Sequence, residues 1–198
     1  TLFSPDDGDV AEVLAHQGTT GSDQQSWHSF AEVIAEQGFV ALTFDFRDCG
    51  QSEGELRVNM LEKDVRAAVD FLRARGHTKL VCIGASMGGT SCMKAALEND
   101  LEGLVVIAST PSLGWPTEIK PKDYALLTMP KLYVSAEDDS VDDIPTSIPT
   151  LISLMHKASP EPKELKFYPG EAHGTEIFDT ESGDEFQELL LKFLEGLG

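Results

Sequence analysis

Cations are scarce in this 198-residue chain: 15 Lys and Arg stand against 34 Asp and Glu, a formal net charge of -19. A surface that negative repels phosphate backbones and anionic bilayers, so neither nucleic acid nor membrane is expected as a partner. Strongly anionic substrates are disfavoured for the same reason. Charged residues make up 25% and apolar residues 41% of the chain, ordinary globular values, so the acidity signals solubility rather than disorder. Cysteine is equally sparse. Cys49, Cys82 and Cys92 are odd in number and include no Cys-x-x-Cys pair, which argues against a disulfide framework and against zinc, and each reads as a small buried residue. No apolar run approaches the roughly 20 residues that cross a bilayer. No signal-like apolar segment follows Thr1, so a leader is absent or already removed, and a cytoplasmic protein is expected. Gly-x-Gly-x-x-Gly, Walker-type and His-Glu-x-x-His patterns are all missing. No cofactor and no metal is therefore expected.

What the chain does contain is regular alternation. Short apolar, β-branched runs at 10–15, 39–44, 79–83, 104–108, 131–135 and 165–168 read as buried strands bounded by Gly or Pro. Between them lie amphipathic stretches. Trp27, Phe30, Ala31 and Ile34 share a helical face that Gly38 can terminate in a left-handed turn. Leu61, Val65, Ala68 and Leu72 repeat the pattern behind Asn59, an N-cap candidate with Glu62 three residues on, and Gly76 closes that helix. Ser182 and Glu185 propose a capping box ahead of Phe186, Leu189, Leu190, Phe193 and Leu194. Residues 1–5 read as the remnant of an edge strand, and Asp6, Asp7, Gly8 and Asp9 as a turn. Such β/α alternation predicts one α/β domain over 1–198, with a mostly parallel sheet of six or seven strands covered on both faces. The stretch 109–129 carries one short helix near 123–127 and is too short for a cap domain.

The strand at 79–83 runs into Gly84-Ala85-Ser86-Met87-Gly88-Gly89 and then a helix-like segment. Gly-x-Ser-x-Gly has chemical meaning in that setting, because a sharp strand-to-helix turn lifts the serine hydroxyl above the sheet and aims the first helical amides at what it attacks. A serine hydroxyl is a weak nucleophile and needs a base, which in turn needs an orienting acid. The strand at 131–135 ends in Ala136-Glu137-Asp138-Asp139-Ser140-Val141, and the strand at 165–168 ends in Pro169-Gly170-Glu171-Ala172-His173-Gly174. Serine, acid and histidine thus follow the carboxyl ends of three different strands, where parallel sheets place their sites.

On these residues the chain resembles the α/β-hydrolase superfamily over nearly its whole length. Ala15-His16-Gln17-Gly18-Thr19 resembles the family's oxyanion loop, with Trp27 in the following helix. The stretch from Leu42 to Ser52, with Asp45, Arg47, Gly50 and Ser52, resembles its Asp-x-Arg-Gly-x-Gly-x-Ser block, although Asp48 replaces a usual glycine. The resemblance implies Ser86 as nucleophile, His173 as base and Asp139 as its acid, with Asp138 and Asp142 as competitors for the last role. It implies backbone N–H groups of Met87 and Gly18 as oxyanion donors, with Gln17, standing where glycine is usual, as a lesser candidate. His16 is expected to pin its loop, and His28, His77 and His156 to be structural or surface residues.

The function implied is a cofactor-free serine hydrolase acting on carboxylic esters, a small-molecule substrate being its partner. The short 109–129 segment suggests an open cleft and soluble, short-acyl substrates. Trp115 and Met87 are candidates for its apolar wall and Gln17 for a substrate contact, while Trp115 is equally readable as loop packing. The same triad cleaves thioesters, amides and lactones, and a dienelactone-hydrolase-like role fits the compact architecture. A non-catalytic binding module is the reading from another class, disfavoured because Ser86, Asp139 and His173 are all present.

Overall fold

The computed structural model describes residues 1–4, 10–17, 23–114 and 118–197. Seven strands form one sheet: β1 (Leu2–Phe3), β2 (Val10–Gln17), β3 (Val40–Thr43), β4 (Lys79–Ser86), β5 (Gly103–Ile107), β6 (Lys131–Ala136) and β7 (Lys163–Tyr168). Their order is β1-β3-β2-β4-β5-β6-β7, and β1 alone runs antiparallel, on the edge beside β3. The edge-strand reading of the first residues therefore stands, while the turn expected at 6–9 lies outside the described residues. The described residues form six α-helices: α1 (His28–Glu36), α2 (Leu61–Arg73), α3 (Met87–Ala96), α4 (Pro121–Tyr124) and α5 (Ile148–Ala158) between the strands, and α6 (Gly183–Glu195) after β7.

The chain steps from β2 to β3 in one direction and then from β3 across β2 to β4 in the other. With right-handed crossovers, that reversal puts α1 on one face of the sheet and α2 through α5 on the opposite face. α6 joins α1 through aromatic packing. Phe178, on the 3-10 turn Gly174–Asp179, meets Trp27 at 6.0 Å, Phe30 at 5.4 Å and Phe186 at 4.6 Å between ring centroids. On the other face α2 packs on α3, and α3 on β4 and β5. β3, β5 and β6 are buried along their entire length, which explains their predominantly apolar runs without polar alternation. The α/β-hydrolase fold expected from the sequence is the fold observed. Among the described residues, α4 is the only helix between β5 and β6, and no cap is present there.

Several local expectations need correction. Gly38 and Gly76 do end their helices at φ 93° and 94°, but Asn59 caps nothing. It lies inside the 3-10 turn Val58–Met60, so the N-cap position falls on Met60, whose side chain makes no capping bond. Ser182 is the N-cap residue of α6 without a side-chain bond, and Glu185 instead pairs with Lys166 at 2.5 Å. α4 starts at Pro121, two residues before the expected position, because the fixed φ of proline suits a first helical turn and Asp123 accepts the Lys120 N–H at 2.9 Å. Cys82 and Cys92 are not separate buried thiols: they form a disulfide. The sharp turn folds α3 back on β4 and brings the two Cα atoms within 5.8 Å, a proximity that ten residues of sequence separation do not reveal. Cys49 is free and half-buried.

Lys131, at the start of β6, is 1% exposed, and its amine donates to the Pro160 and Pro162 carbonyls at 2.9 and 3.0 Å. Burial pushes its pKa down to about 8, Glu161 opposing and Lys163 reinforcing the shift. In the unfolded chain a lysine keeps its proton to about pH 10.4. Between these values the unfolded state binds more protons, so stability rises with pH from about 8 towards 10. The hydroxyls of Tyr133 and Tyr168, raised by burial to about 12, act in the opposite sense only above pH 10. Urea unfolding at pH 9.5 is expected to give on the order of 1–2 kcal/mol more stability than at pH 8. Lys131→Met should flatten that rise, and an unchanged rise in the variant would assign it elsewhere.

Candidate active site

β4 and α3 meet at Ser86, the last residue of the strand and the N-cap of the helix, with φ 54° and ψ -127°. Such a conformation costs a side-chain-bearing residue roughly 1–3 kcal/mol and persists only where the surroundings enforce it. Here they do. A Cβ at position 84 would come within 2.5 Å of the Gly88 backbone, so the turn closes only because Gly84 has none. Met87 is the first residue of α3, and its N–H is among the amides that a helix N-terminus leaves without intrahelical acceptors.

His173 reaches the same place from the far end of the chain. Its Nε2 lies 2.9 Å from the Ser86 Oγ, and its Nδ1 lies 2.9 Å from both carboxylate oxygens of Asp139. The β6–β7 ladder creates this meeting. Pairing continues past the strands, with the Glu137 N–H donating to Tyr168 at 2.8 Å and the Asp138 N–H to Gly170 at 3.0 Å, so the two loops leave the sheet together. Gly170 at φ 98° and Gly174 at φ 62° supply the left-handed turns on either side of His173. Asp139 is fully buried, whereas Asp138 and Asp142 are exposed, so of the three candidate acids Asp139 is the one the fold brings to His173. Burial pushes the Asp139 carboxyl above its ordinary value, and Glu176 adds to that, while the hydrogen bond and charge of His173 pull it down without cancelling the rise.

Glu176 was not singled out by the sequence. Its carboxylate accepts the His173 N–H at 2.9 Å, while its own N–H donates to the His173 carbonyl at 3.2 Å. This reciprocal pair fixes the backbone that carries the imidazole. The signal for it was legible, a glutamate three residues after a loop residue at a helical start.

In register, Gln17 of β2 stands directly beside Ser86 of β4. The Gln17 and His16 side chains, Gly18 and Trp115 lie outside the described residues. Asp48 takes the glycine-like φ of 60° that its position requires, and its carboxylate accepts the Leu56 N–H at 3.3 Å. Asp45, 7% exposed, accepts from the Gln24 and Gln51 backbones and the Gln24 side chain, each at 2.9 Å. Burial raises its pKa, but these bonds outweigh it and hold the carboxyl below its ordinary value. The adjacent Gly50, at φ 51°, leaves the space Asp45 fills. His28 packs on Phe3 and His156 on Tyr133, so both are packing residues. Cavities of about 410 and 400 Å³ lie beside Arg47 and Phe71 and beside Glu176 and Gln187, and neither is lined by Ser86, Asp139 or His173. Among the described residues, no group of three His, Cys, Asp or Glu side chains could hold a metal ion, and no helix is long and apolar enough to cross a membrane.

Comparison with known proteins agrees with the fold. A sequence model of the family described as alpha/beta hydrolase fold matches residues 13–127. The quorum-quenching protein AidA of Acinetobacter baumannii is 31% identical over 106 residues, 50% of this chain and 34% of that protein. The match thus spans about a third of the length of the curated relatives. A monoacylglycerol lipase from Paleococcus ferrophilus superposes with a TM-score of 0.78 at 16% identity, over 100% of this chain and 98% of its own. A dienelactone hydrolase from Anabaena variabilis does so at 0.77 and 20%, over 98% and 89%.

Proposed function

Because the chain belongs to the α/β-hydrolase fold family, we propose that it is a serine hydrolase cleaving carboxylic esters with short acyl groups, in solution and without a cofactor. The observation that carries this reading is the unbroken relay from Ser86 Oγ through His173 to buried Asp139, 2.9 Å at each link. In the proposed cycle His173 Nε2 takes the Ser86 proton as Oγ attacks the ester carbonyl. Asp139 holds the Nδ1–H tautomer and stabilises the imidazolium that forms. The Met87 N–H, with that of Gly18 as the second donor, receives the oxyanion; one such donor contributes about 3–4 kcal/mol to the transition state. His173 then returns its proton to the departing alcohol, and water, deprotonated by the same nitrogen, releases the acyl group.

The loops around the relay bear on the substrate. Residues 137–147 contain Glu137, Asp138, Asp142 and Asp143 besides Asp139, and residues 169–181 contain Glu171, Glu176, Asp179 and Glu181, with no Lys or Arg in either. Such a rim favours neutral over polyanionic esters. The test is a substrate panel: nitrophenyl acetate, butyrate and octanoate, a neutral lactone, and acetyl-coenzyme A. The two short nitrophenyl esters are expected to give the highest kcat/KM and acetyl-coenzyme A the lowest. Selective turnover of the lactone or the thioester would replace the ester assignment while leaving the relay in place.

A further inference from the structure

Gly89 stands just outside the Gly-x-Ser-x-Gly pattern, and the reaction as derived gives it no part. A Cβ at this position would collide with the Ser109 hydroxyl and lie 3.0 Å from the Ser109 Cβ. The first turn of α3 therefore rests directly on Ser109, the second residue after β5. Ser109 is fully buried. Its Oγ is 2.8 Å from the Ser86 carbonyl and 2.9 Å from that of Ile107, two acceptors for one hydroxyl proton. One residue further, the Thr110 carbonyl accepts the Thr90 hydroxyl at 2.7 Å, and Thr90 is 1% exposed. The turn around Ser86 and the loop after β5 thus exchange hydroxyl-to-carbonyl bonds in both directions. The strain is also reciprocal. Ala108, at φ 48°, is a positive-φ residue like Ser86, and it delivers Ser109 to the turn.

The geometry points to Ser109 as a positioning residue for the nucleophile, with Thr90 as its counterpart across the same contact. A residue held at φ 54° would relax unless several contacts over-determine it. The glycines permit the conformation, and the Ser109 hydroxyl holds it by fixing the Ser86 carbonyl, which sets the direction of the Ser86 Cα–Cβ bond towards His173. Ser109 touches no reacting atom. Its effect falls on the rate of acylation rather than on substrate binding. The inference rests on the nucleophilic role of Ser86.

The test compares Ser109→Ala, Ser109→Cys and Thr90→Val with Ser159→Ala. Ser159 also bears a buried hydroxyl, 2.6 Å from Tyr133 OH and bonded to the Met155 carbonyl, remote in sequence from the turn and bonded to none of its residues. Each variant is assayed for kcat and KM on nitrophenyl acetate, for the rate of fluorophosphonate labelling, and for melting temperature. Ser109→Ala is expected to lower kcat and the labelling rate about tenfold with KM within twofold. Ser109→Cys, slightly larger and a much weaker hydrogen-bond donor, falls between it and wild type, and Thr90→Val gives a smaller loss in the same direction. Ser159→Ala lowers the melting temperature by as much as Ser109→Ala but keeps wild-type kcat. Equal kcat in Ser109→Ala and Ser159→Ala, or losses that follow melting temperature rather than donor strength, overturn the positioning role. Should Ser109→Ala fail to fold, the ordering of Ser109→Cys and Thr90→Val decides by the same criterion. A wild type that is not labelled on Ser86 at all refutes the hydrolase reading instead, which separates the two failures.

Discussion

Ser86→Ala is expected to lower kcat for nitrophenyl acetate by roughly a millionfold, the scale on which serine hydrolases lose activity when the nucleophile of an intact triad is removed. The size follows from what the hydroxyl does. Without it no acyl-enzyme forms, and only the oxyanion donors and substrate binding remain to accelerate direct attack by water, a residual of about 10³–10⁴ over the uncatalysed rate. His173→Ala should lose a similar amount, because a serine hydroxyl without its base is scarcely nucleophilic, and the double variant should lose little more than either. Neither side chain is a major packing element: Ser86 is half-buried and the His173 side chain is 25% exposed. Melting temperature should therefore change little. Steady-state assays of freshly purified variants check this, and a Ser86→Ala enzyme retaining a tenth of wild-type activity would remove the residue from the reaction.

Asp139→Asn carries the second largest effect and the more diagnostic one. Asparagine fits the cavity but offers an N–H where the carboxylate accepted one, so the imidazole turns to the wrong tautomer and its cation loses a neighbour. A fall of about 10⁴ in kcat is expected. Stability should move the other way. The Asp139 carboxyl is raised above its unfolded value by burial, so the folded state binds this proton more tightly than the unfolded chain. Such a group contributes stability at low pH that is lost as pH rises through the shifted titration, and near neutrality the buried carboxylate burdens the fold. Asp139→Asn is thus expected to melt at or above the wild-type temperature at pH 7.5 while nearly inactive. Asp138→Asn, at an exposed neighbour, should alter neither property by more than a small factor. A Tm loss in Asp139→Asn that accounts for its inactivity would contradict this assignment.

The parts of this molecule that the sequence revealed are those encoded locally. Gly84-Ala85-Ser86-Met87-Gly88 declares itself because a strand run precedes it and a helix follows, and the strained φ of Ser86 is the conformation that glycine spacing permits. The strand runs of β3, β5 and β6 were visible because full burial leaves no polar alternation to confuse them. The acid could be narrowed only to neighbours. Asp138, Asp139 and Asp142 are chemically identical, and what separates them is which one the β6–β7 register turns towards His173. The Cys82–Cys92 bond, the buried amine of Lys131 and the Ser109–Ser86 bond share that limitation, since each joins segments whose proximity only the folded chain creates. Capping failed for a related reason. Asn59 and Ser182 are good caps by residue type, but a preceding 3-10 turn and a competing Lys166–Glu185 pair determine where those helices begin and what their side chains bond.

Everything functional proposed for this chain depends on Ser86 being made reactive by His173 and Asp139. Peptide mass spectrometry after incubation with a fluorophosphonate probe at pH 7.5 measures that reactivity directly. The account predicts one phosphonyl adduct per chain, with loss of fluoride, on the peptide containing Ser86, and its near disappearance in His173→Ala. A wild type left unmodified, or an adduct on Ser86 that forms equally fast without His173, would contradict it.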